Sequence, residues 1–222
     1  MSSKGIILCL IAWSATFVLS AQEKPPVKFG SVSPKDFATT IYPIDSNAHA
    51  VVIADIGTTF MEGNNKNSIS VVTKRYRRVH ILNKNAFDVA SESIFFYKNG
   101  DVEEELDKLK AVTYNLENGK VVETKLDTKN GVFKETINKN RFVKKFTLPN
   151  IKEGSIIEFE YTVRSDFFWQ LDPWIFQGPY PVLWSEYNLE MPEFLGYTFL
   201  TRGYKKYDFT DKKTRTTSFT FT

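Results

Sequence analysis

Glu158 and Glu160 stand two residues apart in "KEGSIIEFEYTVRS" (Lys152–Ser165), and a pair of carboxylates is the simplest equipment for general acid–base hydrolysis. On a strand they share one face about 7 Å apart. Ile157, Phe159, Tyr161 and Val163 alternate with them, which puts the apolar set inward and leaves the two glutamates as ordinary solvent-side residues. His49 and His80 are the two histidines, one just before an apolar run and one on a basic stretch, with no metal-ligand spacing around either, so both read as structural or surface residues. Cys9, the one cysteine, lies in the N-terminal apolar run. "DVEEELD" (Asp101–Asp107) lacks the spaced oxygen ligands and central glycine of a calcium loop and reads as a solvated acidic turn. No cofactor is implied. "TKRYRRVH" (Thr73–His80) offers Lys74, Tyr76, Arg78 and His80 on one strand face and Arg75 and Arg77 on the other, the pattern of a polyanion groove or of an exposed face that discourages edge pairing.

The densest chemistry follows the alternating strand. Phe167-Phe168-Trp169 and Trp174-Ile175-Phe176 flank Leu171-Asp172-Pro173, and Pro173 blocks a continuing ladder. The stretch reads chiefly as an apolar crossing between two strands. A carbohydrate or peptide platform would instead leave rings exposed beside polar partners, which makes Trp169, Asp172, Trp174 and Gln177 the candidate binding residues.

The elements that must hold these residues are strands. Ala50–Ile56 is apolar on both faces, Gly63–Asn67 is a turn cluster, and Ile69–Leu82 is a long strand. Asn118-Gly119 in "YNLENGKVVE" predicts a tight hairpin, since both turn positions need positive φ. Further strands are expected at Phe142–Leu148, Ser155–Ser165, Val182–Met191, Tyr197–Thr201 and Thr214–Phe221, with short helices at Ala86–Ser93 and Val102–Leu109. The fold class is all-β, an antiparallel β-sandwich with short helical connections.

Met1–Lys4, the apolar Gly5–Leu19 and the small Ser20 and Ala21 have the layout of a secretory signal peptide cleaved after Ser20 or Ala21. Residues 1–21 are then a signal peptide, 22–47 an extended leader and 48–222 the sandwich module, exported to the periplasm or cell envelope, with no membrane span after cleavage. Cleavage removes Cys9, leaving no thiol nucleophile. The formal net charge of +3 gives no electrostatic case for nucleic acid.

"KFTLPNIKEGSIIEFEYT" and "WIFQGPYPVLWSEYNLEMPE", with "RRVHILNKNAFDVA" and "YNLENGKVVE" before them, resemble the uncharacterised domain that precedes transglutaminase-like domains in exported bacterial proteins. The match rests on Pro149, Lys152, Gly154, Ser155, Ile157, Glu158 and Tyr161, and then on Phe176, Gln177, Pro181, Val182, Ser185, Glu186, Tyr187 and Pro192. The resemblance implies a β-sandwich accessory module without catalytic residues of its own. Its implied partner is a downstream transglutaminase-like domain in the same chain, which supplies the Cys, His and Asp. The strict alternation of Thr214–Thr222 suits a strand in mid-course and a chain that continues.

Overall fold

The computed structural model describes residues 27–66, 68–169, 171–198 and 200–212. The signal peptide, Cys9 and the expected strand at Thr214–Phe221 lie outside the described residues. Ten strands form the described fold: β1 (Ala50–Gly63), β2 (Ile69–Ile81), β3 (Ser91–Asn99), β4 (Val102–Glu103), β5 (Glu105–Glu117), β6 (Lys120–Lys125), β7 (Val132–Asn138), β8 (Arg141–Thr147), β9 (Ile156–Ser165) and β10 (Ser185–Glu190). They make two sheets, ordered β10-β1-β2-β9-β5-β6 and β4-β3-β8-β7, one of them a curled half-barrel. The protein is all-β. Every pairing between named strands is antiparallel except that of β10 with β1, which is parallel. Parallel neighbours need a crossover, and the aromatic stretch after β9 is that crossover.

The main core fills the space between the sheets. Val79, Ile81, Ile157 and Phe159 come from the larger sheet, and Ile94, Phe96, Phe142 and Phe146 from the smaller. Phe96 stacks on Phe142 with centroids 4.9 Å apart, and Phe146 meets Phe159 edge-on at 5.7 Å. These are the geometries that ring quadrupoles favour. The outer face of the larger sheet is also covered at one end. There Phe29, Val32 and Phe37 pack on Val112, Tyr114 and Ile156, and Tyr42 reaches His80.

Four expectations change. Val102–Leu109 is not helical: Gly100, at φ 59°, turns the chain, and the residues enter β4 and β5. Its apolar spacing of four satisfies a strand as well as a helix, because four is a multiple of the strand period. "DVEEELD" is therefore mostly strand rather than an acidic turn. At the other site only a 3-10 segment, Lys84–Ala90, forms, with Asn83 accepting from the Asn85 N–H, and Ser91 already begins β3. No strand forms at the described residues of Tyr197–Thr201.

Candidate functional site

β9 carries the two carboxylates to different fates. Glu158 is fully buried, not solvent-side, because residues 27–45 lie over this end of the outer face. Its Oε1 accepts from the Tyr114 hydroxyl at 2.6 Å and the Gly30 N–H at 2.5 Å. Its Oε2 accepts from Arg78 Nε at 3.0 Å, Arg78 Nη2 at 2.8 Å and the Tyr76 hydroxyl at 3.0 Å. Five donors saturate a carboxylate that has about four lone-pair sites. Burial, then the neighbouring Glu158 charge, pushes the phenol of Tyr76 well above its ordinary range; Tyr114 is raised by burial and by its bond to Glu158. Glu160 lies beyond the cover and pairs with Lys110 at 2.7 Å on the surface. The two glutamates share a strand face but no site, and Glu158 has neither an open approach nor a free lone pair.

Lys74 stays exposed, but the arginines and His80 of the basic stretch of β2 pack inward on both faces. Arg78 is held by Glu158, and burial lowers the His80 pKa from 6.5, with Tyr42 Oη 2.9 Å from its Nδ1. His49 instead sits at the surface beside Asn83. On the inner face Arg75 forms a two-pronged bond to Asp55, at 2.9 and 2.7 Å, and lies 3.4 Å from Glu92. Arg77 stands 3.5 Å from Asp55 and 3.9 Å from Glu92. Burial raises the Glu92 carboxyl despite both arginines. β2 is an interior strand, between β1 and β9, so its charges form neither a polyanion groove nor an edge guard. Asp55 and Glu92 were the missed partners. An aspartate inside "AVVIADIG" was the available signal, since a charge in an apolar strand needs a countercharge.

The crossover divides the four candidate binding residues. Trp174 is half-buried, stacked on Tyr187 at 5.2 Å and on the Arg75 guanidinium at 5.3 Å, with its N–H 3.3 Å from Ser185 Oγ. Gly57 makes this possible, because a Cβ there would lie 2.5 Å from the indole. Asp172 and Gln177 are exposed. Trp169 belongs to another region. It is 63% exposed and meets Phe167 and Phe168 edge-on at 5.6 and 5.3 Å. Phe167 is buried, while Phe168 and Leu171 pack on Met61, Ile69 and Val71. Beside Trp169 opens a cavity of about 260 Å³ lined by Asn64, Lys66, Asn99, Asp166 and Phe167 among others. Asp166 accepts from Lys66 at 2.7 Å, Ser70 at 2.6 Å and Asn64 at 3.3 Å, and the Lys66 bond is the first cause holding its carboxyl low. An aromatic ring beside fixed amide, carboxylate and ammonium groups can stack and orient a polar ligand. Sequence reasoning found Trp169 but neither Asp166, three residues before it, nor Asn64, which arrives from a turn roughly a hundred residues earlier in the chain. Among the described residues, no three His, Cys, Asp or Glu side chains are placed to hold a metal ion.

Residues 67–222 match the family model of a domain of unknown function with a solved structure, DUF3857. The chain belongs to this family. Among solved structures, a Parabacteroides distasonis protein described as a candidate protease aligns at 11% identity with a TM-score of 0.39, over 53% of this chain and 23% of its own. A likeness that slight carries no argument about activity. No curated protein matches.

Proposed function

We propose that the chain is a noncatalytic β-sandwich accessory module of an exported transglutaminase-like protein, supporting or orienting a catalytic domain that follows it in cis. The observation that carries the reading is the closure of Glu158. The strand-aligned pair Glu158 and Glu160 is split between a saturated buried site and a surface ion pair, so these two carboxylates serve to hold the sheet. The apolar surface in and beyond the crossover fits a docking role: Ile175, Leu200 and Tyr204 are 70%, 81% and 108% exposed. Export to the periplasm or cell envelope is part of the proposal and rests on the N-terminal layout. No helix among the described residues is long and apolar enough to cross a membrane.

The test has two arms. Purified chain is expected to turn over nothing in a broad hydrolase screen, and turnover lost in a single-residue variant overturns the noncatalytic reading. The source gene is expected to continue past codon 222 into a domain with Cys, His and Asp, and a stop codon there overturns the role in cis.

The exposed Trp169 beside its polar cavity favours a second reading, a carbohydrate- or peptide-binding module. A glycan array separates the two. Binding that Trp169→Ala abolishes supports the binding module, and an array without signal favours the scaffold.

A further inference from the structure

The sandwich is open at the end where β5 faces β7 and β8, and a cavity of about 350 Å³ lies there. Its apolar wall is Leu106, Leu109 and Val132, and its polar lining is Lys134, Lys144, Thr128 and Asp107. Lys134 and Lys144 are direct cross-strand partners in the β7/β8 ladder. Like charges directly opposite repel at about 5 Å between Cβ atoms, and nothing in the ladder requires two lysines there. Both ammonium groups lie over the stacked phenylalanines, Lys134 4.0 Å from the Phe142 centroid and Lys144 5.3 Å from that of Phe96. Lys134 is neutralised by both oxygens of Glu103, at 2.9 and 2.8 Å. Lys144 has no carboxylate within ion-pair distance among the described residues.

We propose that this cavity binds a small amphiphilic anion, an apolar body bearing one carboxylate, with its head on Lys144 and its body against Leu106, Leu109 and Val132. Among the described residues Lys144 makes no direct ion pair, which leaves one ammonium group for one carboxylate head. Burial of the half-buried amine, then the Lys134 charge, lowers its pKa, while the charges of Glu103 and Glu105 act the other way, and a bound carboxylate would favour the charged amine further. Glu103, Glu105 and Asp107 are the acidic groups nearby. Glu103 is bound by Lys134, Glu105 lies across the ladder from Arg164, and Asp107 lines the cavity and feels the charge of Arg164, whose direct partner is Glu62. The volume sits at the lower end of ligand cavities, about 300–1,000 Å³, which suits a short-chain acid rather than a whole phospholipid.

Calorimetric titration of the purified chain with octanoate tests the site, with octan-1-ol as the uncharged analogue. Octanoate is expected to bind the wild type and Lys144→Arg alike, and to bind Lys144→Met about tenfold or more weakly, the worth of a charge-assisted bond. Octan-1-ol should not distinguish the three proteins. Lys152→Met, which removes a lysine paired with Glu117 elsewhere on the surface, should behave as wild type. Absence of octanoate binding to the wild type overturns the proposal, and so does equal affinity in Lys144→Met. If Lys144→Met fails to fold, Val132→Trp fills the cavity instead, and undiminished octanoate binding in that variant is equally fatal. Uptake by anionic vesicles without octanoate binding overturns the small-acid assignment in favour of a lipid surface.

Discussion

Glu158 collects five donors on one carboxylate, and its value to the fold is tied to Arg78. The Arg78 side chain is only 3% exposed, so Glu158→Gln leaves a buried cation without its countercharge. The expected loss is about 3–5 kcal/mol, read as a fall in the urea midpoint. Replacing both partners with apolar residues, Arg78→Met with Glu158→Leu, should cost less than Glu158→Gln alone, because no charge is stranded. Equal midpoints for Glu158→Gln and wild type would show that solvent reaches the pair. His80 gives the residue scale a pH signature. Burial holds its folded-state pKa below 6.5, so the unfolded chain takes up a proton that the folded chain refuses. The stability it contributes is present above about pH 6.5 and is lost as pH falls below that value. Urea midpoints at pH about 7.5 and about 5.5 should therefore differ more for the wild type than for His80→Gln. An unchanged pH difference in the variant would assign the effect to other groups.

Among the elements, the β5–β6 hairpin is the one most legible in the residues. Asn118 and Gly119 have φ of 49° and 75°, the pair of positive values that a two-residue turn of this hand requires. A Cβ at position 119 would meet nothing within 4 Å, so Gly119→Val acts through the backbone alone. It should cost about 1–2 kcal/mol, and a wild-type thermal midpoint would show that the turn relaxes to another type. The inner face of β9 was equally legible, since Ile157 and Phe159 alternate into the core. Its outer face was not. Alternation predicts which residues share a side, but it cannot tell whether that side meets water or a segment more than a hundred positions away, as Gly30 meets Glu158. β2 was misread for the same reason, with Arg75 and Arg78 held by Asp55 and Glu158 from neighbouring strands. β7 escaped notice because it buries almost nothing: Phe133 and Ile137 are 67% and 48% exposed, so no alternation of burial marks it. The candidate site was legible as composition, two Trp among polar residues, but not as geometry. Only the tertiary fold sends Trp174 onto Arg75 and brings Asn64 and Lys66 to the cavity beside Trp169.

The described residues hold three apolar clusters. The largest lies between the sheets, a small one gathers Phe168 and Leu171 on Met61, Ile69 and Val71, and the third lies under residues 27–45, where Phe29, Val32 and Phe37 cover Val112, Tyr114 and Ile156. The same segment completes the buried ion pair, since the Gly30 N–H donates to Glu158 and the Lys28 carbonyl accepts from Arg78. A chain lacking residues 1–46 should therefore lose both together. Each buried apolar side chain is worth about 1.5–3 kcal/mol, and the exposed end of the pair adds the cost of unsatisfied polar groups. The trimmed protein is expected to unfold at a clearly lower urea concentration and to bind an apolar dye such as anilinonaphthalene sulfonate in the absence of denaturant. Phe37→Ala in the untrimmed chain should show a smaller shift of the same sign. A trimmed chain with the full midpoint and no dye binding would make residues 27–45 a passive lead-in, and the burial of Glu158 would then have to be maintained by Arg78, Tyr76 and Tyr114 alone.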